Sequence, residues 1–199
     1  MLFLLFVVLG AVAGLAMGGR LSNLTDLEWR GLPLLVLAAL LNVSGGFFAR
    51  YVSAVAPVIS TVCLLVVFGI IGWVLWTTPG LWRPALAVLT LGALLNFLVM
   101  AANGGRMPVD LDKLRTAGKP KLARQIGEGR AFRHSPLTPQ TPLGVLGDHL
   151  LLPRPFYLLS PGDILMAVGL MLLVWHGIRT PHRTSDGASP AAIEGERKG

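Results

Sequence analysis

The chain of 199 residues has one cysteine, Cys63, so neither an intramolecular disulfide nor a Cys-x-x-Cys metal pair is possible. In mid-span, that thiol reads as buried and inert. Charge is also scarce. Asp, Glu, Lys and Arg make up 14% of the residues against 53% hydrophobic ones, and mean hydropathy is +0.66. Apolar surface in blocks this long excludes an ordinary soluble domain and places the chain in lipid. Acids are the rarer sign, ten against seventeen Lys and Arg, which leaves a net charge of +7. Basic segments beside apolar spans face anionic headgroups, so membrane lipids are the expected partners, together with a membrane partner protein. Nucleic acid is not expected, because no aromatic residues interleave with the basic ones. No Walker, Rossmann, Gly-x-Ser-x-Gly or His-Glu-x-x-His pattern occurs, and no cofactor is expected. His134 and His149 lack helical metal spacing and His176 sits late in the last apolar run, so no metal is expected either.

The long apolar runs predict an all-α integral membrane protein of about five transmembrane helices, with one long polar loop between helices 4 and 5. The spans are expected over residues 1–18, 31–49, 54–76, 85–102 and 161–178, with the loop over 103–160 and a disordered tail over 181–199. No basic segment precedes the first run, which favours a span over a cleavable signal peptide. Gly10, Gly14 and Gly18 recur every four residues and predict a close helix contact on one face. Trp29 and Trp82 stand where interfacial aromatics belong. Ser160-Pro161-Gly162-Asp163 reads as a helix start, with serine as N-cap, proline at the first position and an acid in the first turn. Counting Lys and Arg in the short connections puts the amino terminus outside and the carboxyl tail in the cytoplasm of the cell.

The loop holds nine of the basic residues. Leu111, Leu114, Leu122 and Ile126 alternate with charges and predict one or two short amphipathic helices on the bilayer surface, broken near Gly118-Lys119-Pro120. His134 to Pro142 is too rich in proline for a helix, and Leu143 to Leu152 is too short to span, so it reads as an interfacial or re-entrant piece.

Polar groups concentrate around this loop. Asn103-Gly104-Gly105-Arg106 follows a helix end, where backbone N–H groups cup an anion beside a guanidinium; a plain glycine-terminated helix is the competing reading. Asp163 is explained by capping alone, whereas Asp148, after Gly147 in an apolar stretch, requires a partner such as Arg106, His149 or Arg154. Two functions follow. The first is a non-enzymatic membrane module that binds a lipid headgroup, small anion or partner protein through Asn96, Asn103, Gly104, Gly105, Arg106, His149 and Arg154. The alternative is a hydrolase or transferase acting on a lipid or lipoprotein, with Asp148 and Asp163 as its acid and base. A carrier is disfavoured, because no internal repeat provides paired halves.

Taken in order, Gly18-Gly19-Arg20-Leu21-Ser22-Asn23-Leu24, Leu95-Asn96, Ala102-Asn103-Gly104-Gly105-x-Met107-Pro108-Val109, Leu146-Gly147-Asp148 and Ser160-x-Gly162-Asp163-Ile164-Leu165 carry a resemblance. Over roughly residues 1–178 the chain resembles the bacterial membrane proteins of the domain of unknown function 5317. That resemblance implies about five spans and supplies no activity. Gly92 to Asn96 and Gly162-Asp163-x5-Gly169 are similar to stretches of lipoprotein signal peptidase, an intramembrane aspartyl enzyme, although the aspartate expected shortly after the asparagine is absent here.

Overall fold

The computed structural model describes residues 2–25, 66, 68–70, 72, 73, 76, 77, 82–131, 133–152 and 157–180. The expected span over 31–49, most of that over 54–76, the tail over 181–199 and Arg154 lie outside the described residues. In chain order the helices are α1 (Leu2–Ala16), α2 (Ser22–Thr25), α3 (Trp82–Ala102), α4 (Leu111–Thr116), α5 (Pro120–Gly127) and α6 (Pro161–Arg179). Among the described residues four three-residue strands join them: β1 (Met107–Val109), β2 (His134–Pro136), β3 (Leu150–Leu152) and β4 (Tyr157–Leu159).

Two described helices, α3 with 21 residues and α6 with 19, are long and apolar enough to cross a membrane. α3 exposes Leu91 and Leu98, whereas the apolar residues of α6 are half-buried or buried. α1 is shorter than the expected span. Its 15 residues reach about 22 Å at about 1.5 Å per residue, short of a hydrocarbon core of roughly 30 Å. The helix stops because Gly18 turns the chain at φ +84° and the Gly19 N–H donates back to the Gly14 carbonyl at 3.0 Å.

α6 packs against both α1 and α3, and in each case glycine makes the close approach possible. A Cβ added at Gly10 would run into the backbone of Met171, and one at Gly14 would lie 2.9 Å from Ile178 Cγ2. Gly18 does not share that face; Gly19 takes its place, with a Cβ there lying 2.6 Å from the Ile178 carbonyl oxygen. On the other side a Cβ at Gly169 would lie 2.5 Å from the Leu89 nitrogen, and one at Gly92 2.7 Å from the Met166 nitrogen. These pairings run upward together along α1 and α6 and in opposite senses along α3 and α6. α1 and α6 are therefore parallel, and α3 is antiparallel to them. At the lower end of α6, the Ile178 carbonyl accepts from the Arg20 N–H at 2.9 Å and from Asn23 Nδ2 at 2.7 Å, which ties α2 to the bundle.

Residues 103–160 correct one expectation, since the short strands there make the chain mostly helical rather than all-α; the polar segment itself folds as a cap. β1 pairs in parallel with β2, Met107 opposite His134 and Val109 opposite Pro136, and α4 and α5 form the crossover between them. β3 and β4 pair antiparallel, with Leu150 opposite Leu159. Val109, Leu114, Ala123 and Ile126 form a buried core of the cap, flanked by Leu111, Ala131 and Leu158. Three-residue strands are too short to show alternation, and the β1–β2 pair is a non-local contact, so neither leaves a periodic signal. The break between α4 and α5 falls where the sequence predicts it, with Gly118 at φ +81° and Pro120 opening α5. Asp110 caps α4 by accepting from the Asp112 and Lys113 N–H groups at 3.1 and 3.0 Å.

The glycine contacts give a direct test. Replacing Gly169 by Leu is expected to lower thermal stability in detergent micelles by about 1–3 kcal/mol through overpacking. Leu98→Ala, at an exposed position of α3, is expected to change it by less than about 0.5 kcal/mol.

Candidate functional site

The start of α6 positions the site. Pro161 needs no hydrogen bond for its nitrogen, and Ser160, fully buried, accepts from the Asp163 N–H at 3.0 Å. Asp163 in turn accepts from the Ser160 N–H at 3.1 Å through Oδ2, completing a capping box. Asn96 of α3 closes this box from across the bundle. Its Nδ2 donates to Asp163 Oδ1 at 2.9 Å, and its Oδ1 accepts from Ser160 Oγ at 2.8 Å. Gly162 leaves room for it, since a Cβ there would collide with the Asn96 amide.

Asp148 reaches the same region from the cap. It lies beside β1, its N–H donating to the Pro108 carbonyl at 2.8 Å and its carbonyl accepting from the Asp110 N–H at 3.0 Å. Gly147 permits this contact, because a Cβ there would lie 2.7 Å from the Pro108 carbonyl oxygen. The backbone is satisfied, but the side chain is not. Asp148 Oδ1 is buried and has no hydrogen-bond partner. Burial, and then the negative charge of Asp163, push the carboxyl up to about 7. No described cation forms an ion pair with it.

Asp148 is among the residues lining an open cavity of about 220 Å³. Val109, Leu114, Leu122, Ile126 and Leu158 form its apolar walls, and Lys119 and His134 are its other polar residues. Burial, and then the positive charge of Arg133, hold the His134 imidazole below its ordinary pKa, so it is neutral at pH 7. A larger groove along Val66, Gly69, Ile70 and Trp73 has no titratable side chain in its described lining. Among the described residues no group of three or more His, Cys, Asp or Glu side chains is placed to hold a metal ion.

The residues singled out in the sequence divide into three groups. Asn96 and Asp163 meet at the start of α6, and Asp163 acts electrostatically on Asp148. Asn103, Gly104 and Gly105 instead close α3: Gly104 and Gly105 have φ of +63° and +79°, and the Asn103 and Gly105 N–H groups both donate to the Met100 carbonyl. Asn103 Nδ2 also donates to the Val99 and Pro142 carbonyls at 2.7 and 2.9 Å, fastening the cap to the helix end. Arg106 is exposed, with its own N–H donating to the Asn103 carbonyl. His149 turns away from Asp148, its Nδ1 lying 2.9 Å from the Gly147 carbonyl, while its own carbonyl accepts from Lys113 Nζ at 2.8 Å. Nothing in the sequence marks Lys119 and His134 as site residues, because the cavity they line forms only when separate segments of the cap pack together.

The raised Asp148 pKa makes a pH prediction. Between an unfolded value of about 3.9 and the folded value of about 7, the native state binds more protons than the unfolded chain, so stability falls as pH rises. The penalty is complete by about pH 8 and reaches at most about 4 kcal/mol, at roughly 1.4 kcal/mol per pH unit. Melting of the full chain in detergent is expected to drop between about pH 5 and pH 8, and the drop is expected to shrink sharply in Asp148→Asn.

No curated protein and no solved structure matches the chain. A family of unknown function, DUF5317, matches residues 26–175, three quarters of its length. The start of α3, its glycine-closed end, the cap with Asp148 and the capped start of α6 all lie within that match, and the chain belongs to the DUF5317 family.

Proposed function

We propose that the protein crosses the membrane five times, with its amino terminus outside and its carboxyl tail in the cytoplasm, and that its cap is a binding module. The short α1 is included among the crossings, because a bilayer thins locally around a span shorter than its hydrocarbon core. Helix directions support the number of crossings. Trp82 at the start of α3 and Leu24 in α2 both lie against Gly177, so residues 25–82 leave from and return to the same end of the bundle. That route requires an even number of crossings, and the two apolar runs at 31–49 and 54–76 supply two. Trp82, Trp175 and His176 cluster at this end, with Arg179 lying 4.9 Å over the Trp175 ring, a composition suited to a membrane interface.

The observation that carries the binding reading is the buried, unpartnered Oδ1 of Asp148 beside the cap cavity. A buried acceptor without a donor costs roughly 1–3 kcal/mol, and a ligand that brings the donor recovers that cost. The second reading, a hydrolase or transferase on a lipid or lipoprotein, is favoured by the electrostatic coupling of Asp163 to Asp148. It is weakened because both Asp163 oxygens already accept hydrogen bonds, from Asn96 and Ser160, which commits that carboxylate to capping α6.

Single replacements in the full-length protein separate these roles. Asp163→Asn is expected to reduce accumulation in the membrane by loosening the cap, and Arg106→Gln to change little. Asp148→Asn is expected to accumulate normally while changing the set of molecules that copurify with the protein, read by native mass spectrometry. An unchanged set overturns the binding module. Consumption of a lipid or lipoprotein by the purified wild type, lost in normally accumulating Asp148→Asn, establishes the enzyme instead.

A further inference from the structure

At the end of the bundle opposite the cap, α1 and α6 finish together. The Arg20 N–H donates to the Ile178 carbonyl at 2.9 Å, so the backbones of Arg20 and Arg179 are neighbours there. Both side chains are exposed. Arg179 is held 4.9 Å over the Trp175 ring, and neither guanidinium has a hydrogen-bond or ion-pair partner among the described residues. Asp163, at the far end of α6, is the only acid among the described residues of the bundle, and Asp26 and Glu28 lie outside the described residues. Two positive charges therefore share one junction with no described group to neutralise them.

The surroundings suit a lipid headgroup. Trp82 and Trp175 lie on His176 with ring centroids 6.1 and 4.6 Å from its own, and amphipathic rings of this kind gather where the bilayer meets water. Met17 and Leu21, 57% and 55% exposed, offer apolar surface on either side of Arg20 in the chain. The Ile178 carbonyl, which would repel an anion, is covered by two donors, the Arg20 N–H and Asn23 Nδ2.

Resting on the membrane-crossing reading above and independent of the cap, we infer that Arg20 and Arg179 together hold the phosphate of an anionic phospholipid in the cytoplasmic leaflet. Each guanidinium gives charge-assisted N–H bonds to the phosphate oxygens. Trp175 steadies Arg179 through its ring face, and the glycerol carbons lie against Met17 and Leu21. In this orientation the pair faces the leaflet in which anionic lipids prevail. Phosphatidylcholine has the same phosphate but brings a quaternary ammonium toward two guanidiniums, and like charges disfavour it.

The test places the full-length protein in nanodiscs of equal phosphatidylglycerol and phosphatidylcholine, releases it into detergent, and reads the retained lipid by native mass spectrometry. Each arginine beside an anionic headgroup is expected to contribute about fivefold, so phosphatidylglycerol is expected to be retained about 25-fold over phosphatidylcholine. Arg20→Gln keeps the backbone N–H that ties α1 to α6, and is expected to lower the preference about fivefold. Arg179→Gln is expected to do the same, and the double variant to abolish it. Arg20→Lys, which restores the charge, is expected to recover most of the loss. Arg115→Gln, in the cap and already paired with Asp112, is expected to change nothing.

Equal retention of the two lipids, or a preference unchanged in folded Arg20→Gln and Arg179→Gln, overturns the inference. A preference that falls as far in Arg115→Gln as in Arg20→Gln also overturns it, since diffuse charge then explains the retention. Titration with inorganic phosphate separates the sources: arginine-dependent binding of free phosphate without any lipid preference overturns the lipid as ligand. Each of these results leaves the membrane crossings and the cap module standing. Failure of the wild type to enter nanodiscs at all removes the membrane-crossing reading, and this inference with it.

Discussion

The first turn of an α-helix exposes N–H groups with no acceptor inside the helix, and at the end of a membrane-spanning segment those groups require partners from the protein. Ser160 and Asp163 supply them for α6, and Asn96 locks both side chains from α3. The same contacts join cap to bundle, because Ser160 ends the chain of the cap and Asn96 belongs to the bundle. Asp163 thereby stands near Asp148 and contributes to its raised pKa. Helix capping and the electrostatics of the candidate site are consequences of one set of hydrogen bonds.

Glycine makes that junction possible. α3 and α6 are long and apolar enough to cross a membrane, and helices of that kind associate through close packing. Gly92, Gly162 and Gly169 let α3 and α6 approach until backbone meets side chain, and Gly10, Gly14 and Gly19 do the same between α1 and α6. Bulkier residues at Gly92 or Gly162 would separate Asn96 from Ser160 and Asp163. Packing in the bundle therefore reaches the cap through a few short hydrogen bonds.

The cap has its own apolar core and its own surface charges. Arg115 pairs with Asp112, Arg124 and Arg130 pair with Glu128, and Lys113 lies 3.5 Å from Asp110, so several of the basic residues in this segment are locally balanced. Such exposed pairs contribute little to stability but limit any uniform basic surface. Asp148 differs in being buried without a partner. Unsatisfied buried groups are costly enough to be rare, and this one borders an open cavity.

Local chemistry was legible in the sequence. Apolar runs marked α3 and α6, Ser160-Pro161 marked a helix start, Gly118-Lys119-Pro120 marked a break, and Asn103-Gly104-Gly105 marked a helix end. Each depends on residues a few positions apart, within reach of propensity and capping rules. The tertiary structure decided the rest. Asn96 and Asp163 are 67 residues apart, β1 meets β2 only after two intervening helices, and His149 turns toward the Gly147 carbonyl instead of Asp148. Contacts that distant leave no period or spacing in a single chain, since they arise only when packing places separated segments side by side.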